Sequence, residues 1–272
     1  MGVVHALYVD LDGTLLGKGG SLVHDADGNP SLLALRAVEA CLRVDAEVVL
    51  MSGRRQVTVR EPARLLGQPS YIFEAGAGMV LDGETFWLCD GLEPGELTIA
   101  EQVAVDGAPE LLLERFAGRL EYHAPWHEGR EVSHLFRGAV DAAEADAVLT
   151  EAGHETLRLV DNGAIAVPRH GLDVPDDALR AYHLVPRGVS KARAVARHQR
   201  ARGYDPARCI AVGDSREDLA VAPAVGTFWL VANALAHDPE ITAGAPANVK
   251  VAEERNGAGV YEAVVSTLAQ RG

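Results

Sequence analysis

The feature that most constrains this chain is a short apolar run, Val3 to Val9, that ends on Asp10-Leu11-Asp12-Gly13-Thr14. Its brevity, its β-rich composition and the glycine turn that closes it make the run a buried strand. Strands of an open parallel sheet point their carboxyl ends at the ligand crevice, so Asp10 stands at the mouth of a site. Two neighbouring carboxylates repel each other and lose hydration together, so their proximity calls for a divalent cation or for proton-transfer chemistry. Taken alone, the pentapeptide also admits a plainer reading as a polar strand end with a turn.

A second acidic cluster narrows the choice. Cys209 to Val212 is another short apolar run, and it leads into Gly213-Asp214-Ser215-Arg216-Glu217-Asp218. If that strand lies parallel to the first, Asp214 reaches the same edge as Asp10, and Ser215 caps a helix that carries Asp218. Convergent carboxylates make a hard, oxygen-rich pocket that suits Mg²⁺ better than zinc or copper. Two further stretches suit phosphate. Glu47 to Met51 is a third strand-like run, and Ser52-Gly53-Arg54 after it offers a hydroxyl and free N–H groups at the start of a helical pattern reaching Leu66. A plain helix cap at Ser52 is compatible with that role. Gly188-Val189-Ser190-Lys191 opens a long helix to about Arg202. Lys191 is one of only three lysines against 22 arginines, so a compact ammonium is wanted there, unless it is simply a surface helix residue.

Taken in order, Asp-x-Asp-Gly-Thr, Ser-Gly-Arg, Lys191 and Gly-Asp-x-x-x-Asp resemble the four motifs of the haloacid-dehalogenase-like phosphohydrolase superfamily. The likeness is to its Cof-type sugar-phosphatase branch, which includes mannosyl-phosphoglycerate and sucrose-phosphate phosphatases. Tyr71 to Ala77, Val185 to Lys191 and Asn256 to Val260 support it, and it covers residues 1–90 and 182–272. The resemblance implies an α/β fold: a three-layer, Rossmann-like, doubly wound parallel sheet in residues 1–89 and 185–272, with an α/β cap inserted at 90–184. It also implies an Mg²⁺-dependent phosphatase working through an aspartyl-phosphate. Asp10 would be nucleophile and metal ligand. Asp12 would give its backbone carbonyl to the metal and its side chain to acid–base work. Asp214 would anchor the metal, with Asp218 behind it as a partner for Asp214 or Lys191. Ser52, Lys191 and the backbones of Leu11 and Gly53 would hold the phosphoryl oxygens. An acid at Asp12 points to a phosphatase or a phosphomutase, and a non-catalytic phosphate-binding protein of the same fold is the alternative from another class. Two residues depart from the branch: Glu217 and Ala75 stand where it usually carries Asn. A carboxylate cannot donate to phosphate, so Glu217 turns away, contacts the metal or weakens affinity.

Composition agrees with a small-molecule enzyme. A hydrophobic content of 48% with near-zero mean hydropathy describes a globular chain long enough for one large or two ordinary domains. A net charge of −14 argues against nucleic acid and anionic membrane as partners, and the small phosphate ester that the resemblance implies would need local neutralisation. No apolar run is membrane-length, and no basic-then-apolar leader precedes the first strand. Cys41, Cys89 and Cys209 are odd in number and apolar in setting, which predicts buried thiols and a cytoplasmic protein.

Strand and helix patterns alternate from Val3 to Phe73, Gly78 to Leu88 forms a hairpin turning at Asp82-Gly83, and Cys89 to Gly95 is a hinge. The following segment changes character. Helices near Pro109–Gly118 and Asp141–Ala152 interleave with strands at Leu120–His123, Val132–Phe136, Leu157–Val160 and Ala164–Val167. Between two of those strands, residues 121–131 concentrate aromatic, imidazole and charged groups in a chain only 5% aromatic. Trp126, His127 and Arg130 are therefore expected to face the cleft and read a phosphorylated sugar or sugar-derived metabolite, although an ordinary solvated connection is the competing reading.

Overall fold

The computed structural model describes residues 4–165 and 170–271. Val3 of the first expected strand and Ala166 and Val167 of the last expected cap strand lie outside them. The main sheet has eight strands: β1 (Ala6–Asp10), β2 (Glu47–Met51), β3 (Tyr71–Phe73), β4 (Gly78–Leu81), β5 (Glu84–Trp87), β10 (Cys209–Gly213), β11 (Thr227–Leu230) and β12 (Val249–Val251). Their spatial order is β12-β11-β10-β1-β2-β3-β4-β5, parallel except for the antiparallel pairings of β3 with β4 and β4 with β5. The chain runs outward from β1 on one side and returns on the other through β10. The order therefore reverses beside β1, which makes its carboxyl end the switch point where doubly wound sheets bind ligands.

Alternation along the strands builds the layers. Leu7, Val9, Val48 and Leu50 face a core shared with Ala37 of α1 (Leu33–Leu42), Val59 of α2 (Gln56–Leu65) and Val260 of α9 (Asn256–Arg271). Ala6, Tyr8, Val49 and Met51 face the other way, onto Ala194 and Val195 of α6 (Lys191–Arg202) and Ala234 of α8 (Asn233–His237). Strands buried on both faces need continuous apolar sequence, which explains why these runs were so legible.

Between β5 and α6 the chain forms a second layer pair. Its four-stranded antiparallel sheet runs in the order β6 (Leu120–Tyr122), β7 (His134–Gly138), β9 (Arg180–Pro186) and β8 (Leu157–Ala164). Among the described residues, α3 (Ile99–Ala104), α4 (Ala108–Arg115) and α5 (Ala142–Glu151) accompany it. Phe116, Phe136, Leu149 and Tyr182 are fully buried in their common core. This is the inserted α/β cap. The fold is a doubly wound α/β core with a cap, as the sequence predicts.

Candidate active site

Register brings the acids together. Asp10 pairs with Met51 across β1 and β2, and Val9 with Val212 across β1 and β10. Ser52 and Asp214, each at or just past the end of its strand, therefore emerge beside Asp10. Gly13 makes the tight approach possible: its φ is +80°, and a Cβ there would stand 2.2 Å from Asp214 Oδ2. Carboxylate oxygens of Asp10, Asp214 and Asp218 all lie within 4.8 Å of one another.

Lys191 begins α6 behind the N-cap Ser190, whose hydroxyl accepts from the Arg193 N–H. Its ammonium is buried and donates to Asp10 Oδ1 at 2.8 Å and Asp218 Oδ1 at 2.6 Å. Burial opposes that charge, but the two carboxylates outweigh it and raise the pKa of Lys191. Asp218 is doubly engaged. Its Oδ2 accepts from the N–H groups of Asp214 and Ser215 and from the Ser215 hydroxyl, closing a capping box on α7 (Arg216–Leu219). Asp218 thus touches both Lys191 and the backbone of Asp214.

One ammonium does not balance this much buried acid. Burial, then repulsion from Asp218 and Asp214, pushes Asp10 well above the carboxylate range despite Lys191. Burial and Asp218 push Asp214 up to about 7. Crowded, partly desolvated hard oxygens are a setting that a divalent cation relieves, so the donor set fits Mg²⁺.

Around this floor stand the other expected residues. Leu11 buries its side chain, and its carbonyl accepts from the Thr14 and Leu16 N–H groups. Ser52 is buried and its hydroxyl accepts from the Arg54 N–H; it does not cap α2, whose N-cap is Arg55 in extended conformation. The plainer reading of Ser52 as a helix cap therefore does not hold: the Ser52-Gly53-Arg54 turn separates strand from helix. The Asp12 carboxylate is exposed and gripped on both oxygens by Arg54, at 2.7 Å and 2.5 Å. Glu217 turns away from the cavity; it accepts from the Lys191 N–H at 3.4 Å and faces Arg158 of β8 at 4.0 Å.

A cavity of about 670 Å³ opens above the acids, walled by both layers. Of the expected cap residues, Arg130 and Trp126 line it, the first buried and the second exposed. His127 lies outside the lining and stacks on Tyr122 with ring centroids 4.9 Å apart. Arg130 donates to the carbonyls of Gly53 and Trp126 and to the Ser133 hydroxyl, each at 3.0 Å. Burial draws its pKa down to about 10, so it remains a cation.

Sequence reasoning missed Glu74, Ser133, Asn162 and His183. Glu74 is fully buried in the turn after β3, and its carboxylate accepts from the N–H groups of Glu131, Val132 and Ser133 and from the Ser133 hydroxyl. The available signal was an acid directly after an apolar strand, in a stretch quoted only for its resemblance. His183 and Asn162 press on the Ser52-Gly53-Arg54 turn, where a Cβ at Gly53 would come within 2.8 Å of each.

No known protein-family model matches the chain. A phosphoglycolate phosphatase of Halorubrum lacusprofundi is 30% identical over 233 residues, which are 85% of this chain and 86% of its own. One of Methanoculleus marisnigri is 26% identical over 265 residues, 96% of each. Among solved structures, the sucrose-phosphatase of Synechocystis superposes with a TM-score of 0.65 at 14% identity, covering 97% of both chains. Acids clustered at the switch point of a capped α/β sheet, in a chain this similar to named phosphatases, define a phosphoric monoester hydrolase. The chain belongs to the haloacid-dehalogenase-like phosphatases. Enzymes of this family generally use a divalent metal. No described helix is long and apolar enough to cross a membrane.

Proposed function

We propose that this protein hydrolyses a small phosphorylated, sugar-derived metabolite in an Mg²⁺-dependent, two-step reaction. The observation that carries the reading is the convergence of Asp10, Asp214, Asp218 and Lys191 under a cavity walled by the cap. Asp10, Asp214 and the Asp12 carbonyl would hold the ion. Bound there, Mg²⁺ would neutralise charge between nucleophile and phosphate.

The chain's own residues carry the steps. An Asp10 carboxylate oxygen bonds to phosphorus as the ester P–O bond breaks, leaving an aspartyl-phosphate. Asp12 gives its proton to the departing oxygen. It then takes one from the water that attacks phosphorus and releases phosphate from Asp10. Arg54 holds the Asp12 carboxylate until an anionic substrate competes for the guanidinium; the freed carboxylate then takes up a proton from solvent and serves as the acid. Ser52, Lys191 and the backbone N–H groups of Leu11 and Gly53 bind the phosphoryl oxygens as charge shifts among them.

The substrate class rests on the cavity. Its volume, about 670 Å³, falls within the ~300–1,000 Å³ of small-molecule sites and has room for a sugar beyond the phosphate. Trp126 offers an apolar face, and Arg130 and Asn162 offer donors. Residues 90–184 act on this view as the specificity cap over a core of 1–89 and 185–272. A second reading, phosphoglycolate, is favoured by the four curated relatives, each named as a phosphatase for it. Phosphate release across a panel of phosphorylated metabolites decides between them. We expect the highest kcat/KM for a sugar-derived ester, loss of activity in chelator and its return with Mg²⁺. Undiminished turnover in excess chelator would contradict the metal assignment, and a clear optimum on phosphoglycolate would establish the second reading.

A further inference from the structure

A chain of hydrogen bonds, Glu74–Ser133–His183, joins the core to the cap, and its direction can be worked out. The Ser133 hydroxyl lies 2.8 Å from Glu74 Oε2, and a carboxylate oxygen only accepts, so Ser133 spends its single proton there. Its oxygen then accepts from Arg130 Nη1 and from His183 Nδ1, both at 3.0 Å. If Nδ1 accepted instead, the Ser133 and Glu74 oxygens would face each other with no proton between them. The proton on His183 therefore sits on Nδ1. Burial, aided by Arg130, holds the ring well below the usual imidazole range, which keeps it neutral.

Nδ1–H in a neutral imidazole leaves a lone pair on Nε2. That atom makes no hydrogen bond among the described residues; it stands against Gly53 beside the Asn162 side-chain amide, and all three residues line the cavity. The pair offers an acceptor and a donor side by side. A hydroxyl satisfies both, since it donates to Nε2 while accepting from the amide; a carboxylate or a phosphate oxygen has no proton for Nε2.

We propose that His183, fixed as the Nδ1–H tautomer by Glu74 and Ser133, accepts a hydrogen bond from a substrate hydroxyl close to the phosphoryl ester. This makes His183 a specificity-determining residue, and the inference rests on the phosphatase reading above. It narrows the substrate to esters whose leaving group carries a hydroxyl on the carbon next to the ester carbon. A site built to bond a hydroxyl penalises the analogue that lacks it, because a desolvated acceptor is left unpaired.

The test compares glycerol 3-phosphate with 3-hydroxypropyl phosphate, which lacks only the middle hydroxyl. The parent enzyme should favour the first by about tenfold or more in kcat/KM, and the ratio should fall towards one in His183→Phe. A merely structural role would lower both rates and leave the ratio where it was. Should His183→Phe fail to fold, Ser133→Ala should shrink the ratio severalfold by releasing the tautomer. Nitrogen-detected histidine NMR of the substrate-free enzyme gives an independent readout, with Nδ1 protonated and Nε2 bare. A parent ratio near one, a ratio that survives the substitution, or a protonated Nε2 would each overturn the inference while aryl phosphate is still hydrolysed. No release of phosphate from any ester, aryl phosphate included, would overturn the phosphatase reading and the inference with it.

Discussion

Glu47 opens β2 at the end of the sheet remote from Asp10, where it gathers Ser70 at 2.7 Å, Tyr204 at 2.9 Å and Arg202 at 3.1 Å. Burial pushes its pKa up, but His198, Ser70 and Arg202 outweigh burial and hold it at about 2. A folded value below the unfolded one means the ionised group stabilises the protein above the unfolded pKa. That stabilisation is lost as pH falls towards 2. Glu47→Gln should therefore cost about 2 kcal/mol at pH 7, after discounting the shift for solvent screening. The difference from the parent should shrink as pH drops below ~4.5. Urea titrations of both proteins across pH check it, and a difference independent of pH would contradict it. At this scale, legibility followed sequence distance. Asp10, Ser52, Lys191 and Asp214 each close a local pattern, an apolar strand or a helix start, and so were readable one at a time. Arg54 on Asp12, Glu74 on Ser133 and Arg130 on Gly53 are partnerships across 42, 59 and 77 residues, and no local pattern announces them.

Among the elements, the joint between core and cap depends on one turn. Glu74 and Ala75 adopt φ values of 46° and 58°, in the left-handed region that side chains other than Asn and Gly rarely occupy. Gly76 follows at 94°, where a Cβ would strike Ser190 at 2.3 Å. This turn aims the Glu74 carboxylate at three successive N–H groups just before β7. Glu74→Gln replaces one acceptor oxygen by a donor and sets it against N–H groups. We expect a loss of about 2–4 kcal/mol and faster hydrogen exchange at residues 131–133. Unchanged thermal stability with unchanged exchange would refute the latch. Secondary structure was legible wherever one period dominated. Leu120–Tyr122 and Ala142–Glu151 fall within their expected spans, and His134–Gly138 within two residues of its own. Strand β9 was not foreseen. Polar His183 interrupts its apolar stretch from Tyr182 to Val185, and its end was taken as the lead-in to Lys191. Helix α3, six residues long, is too short for a helical period to register, although its Thr98/Glu101 capping box was available in the sequence.

On the scale of the whole molecule, two cores meet over one cavity, and each supplies what the other lacks. The sheet edge holds acids, a lysine and the Ser52-Gly53-Arg54 turn; the cap brings Arg130, Asn162 and His183 down onto Gly53. This division explains why the reaction class could be read from the sequence while the substrate could not. On the proposed reading, the chemistry belongs to motifs at strand ends. The cavity wall is assembled from positions scattered over both layers, whose meeting depends on tertiary packing. The central claim is that Asp10 forms the covalent bond, and acid-quenched mass spectrometry tests it most directly. Enzyme mixed with an aryl phosphate and Mg²⁺ should gain one phosphoryl group on the peptide containing Asp10, and Asp12→Ala should accumulate it by slowing hydrolysis. Asp10→Asn should show no adduct and lose at least roughly a thousandfold in turnover while remaining folded. A folded Asp10→Asn variant that keeps substantial turnover, with no adduct trapped in Asp12→Ala, would contradict the account.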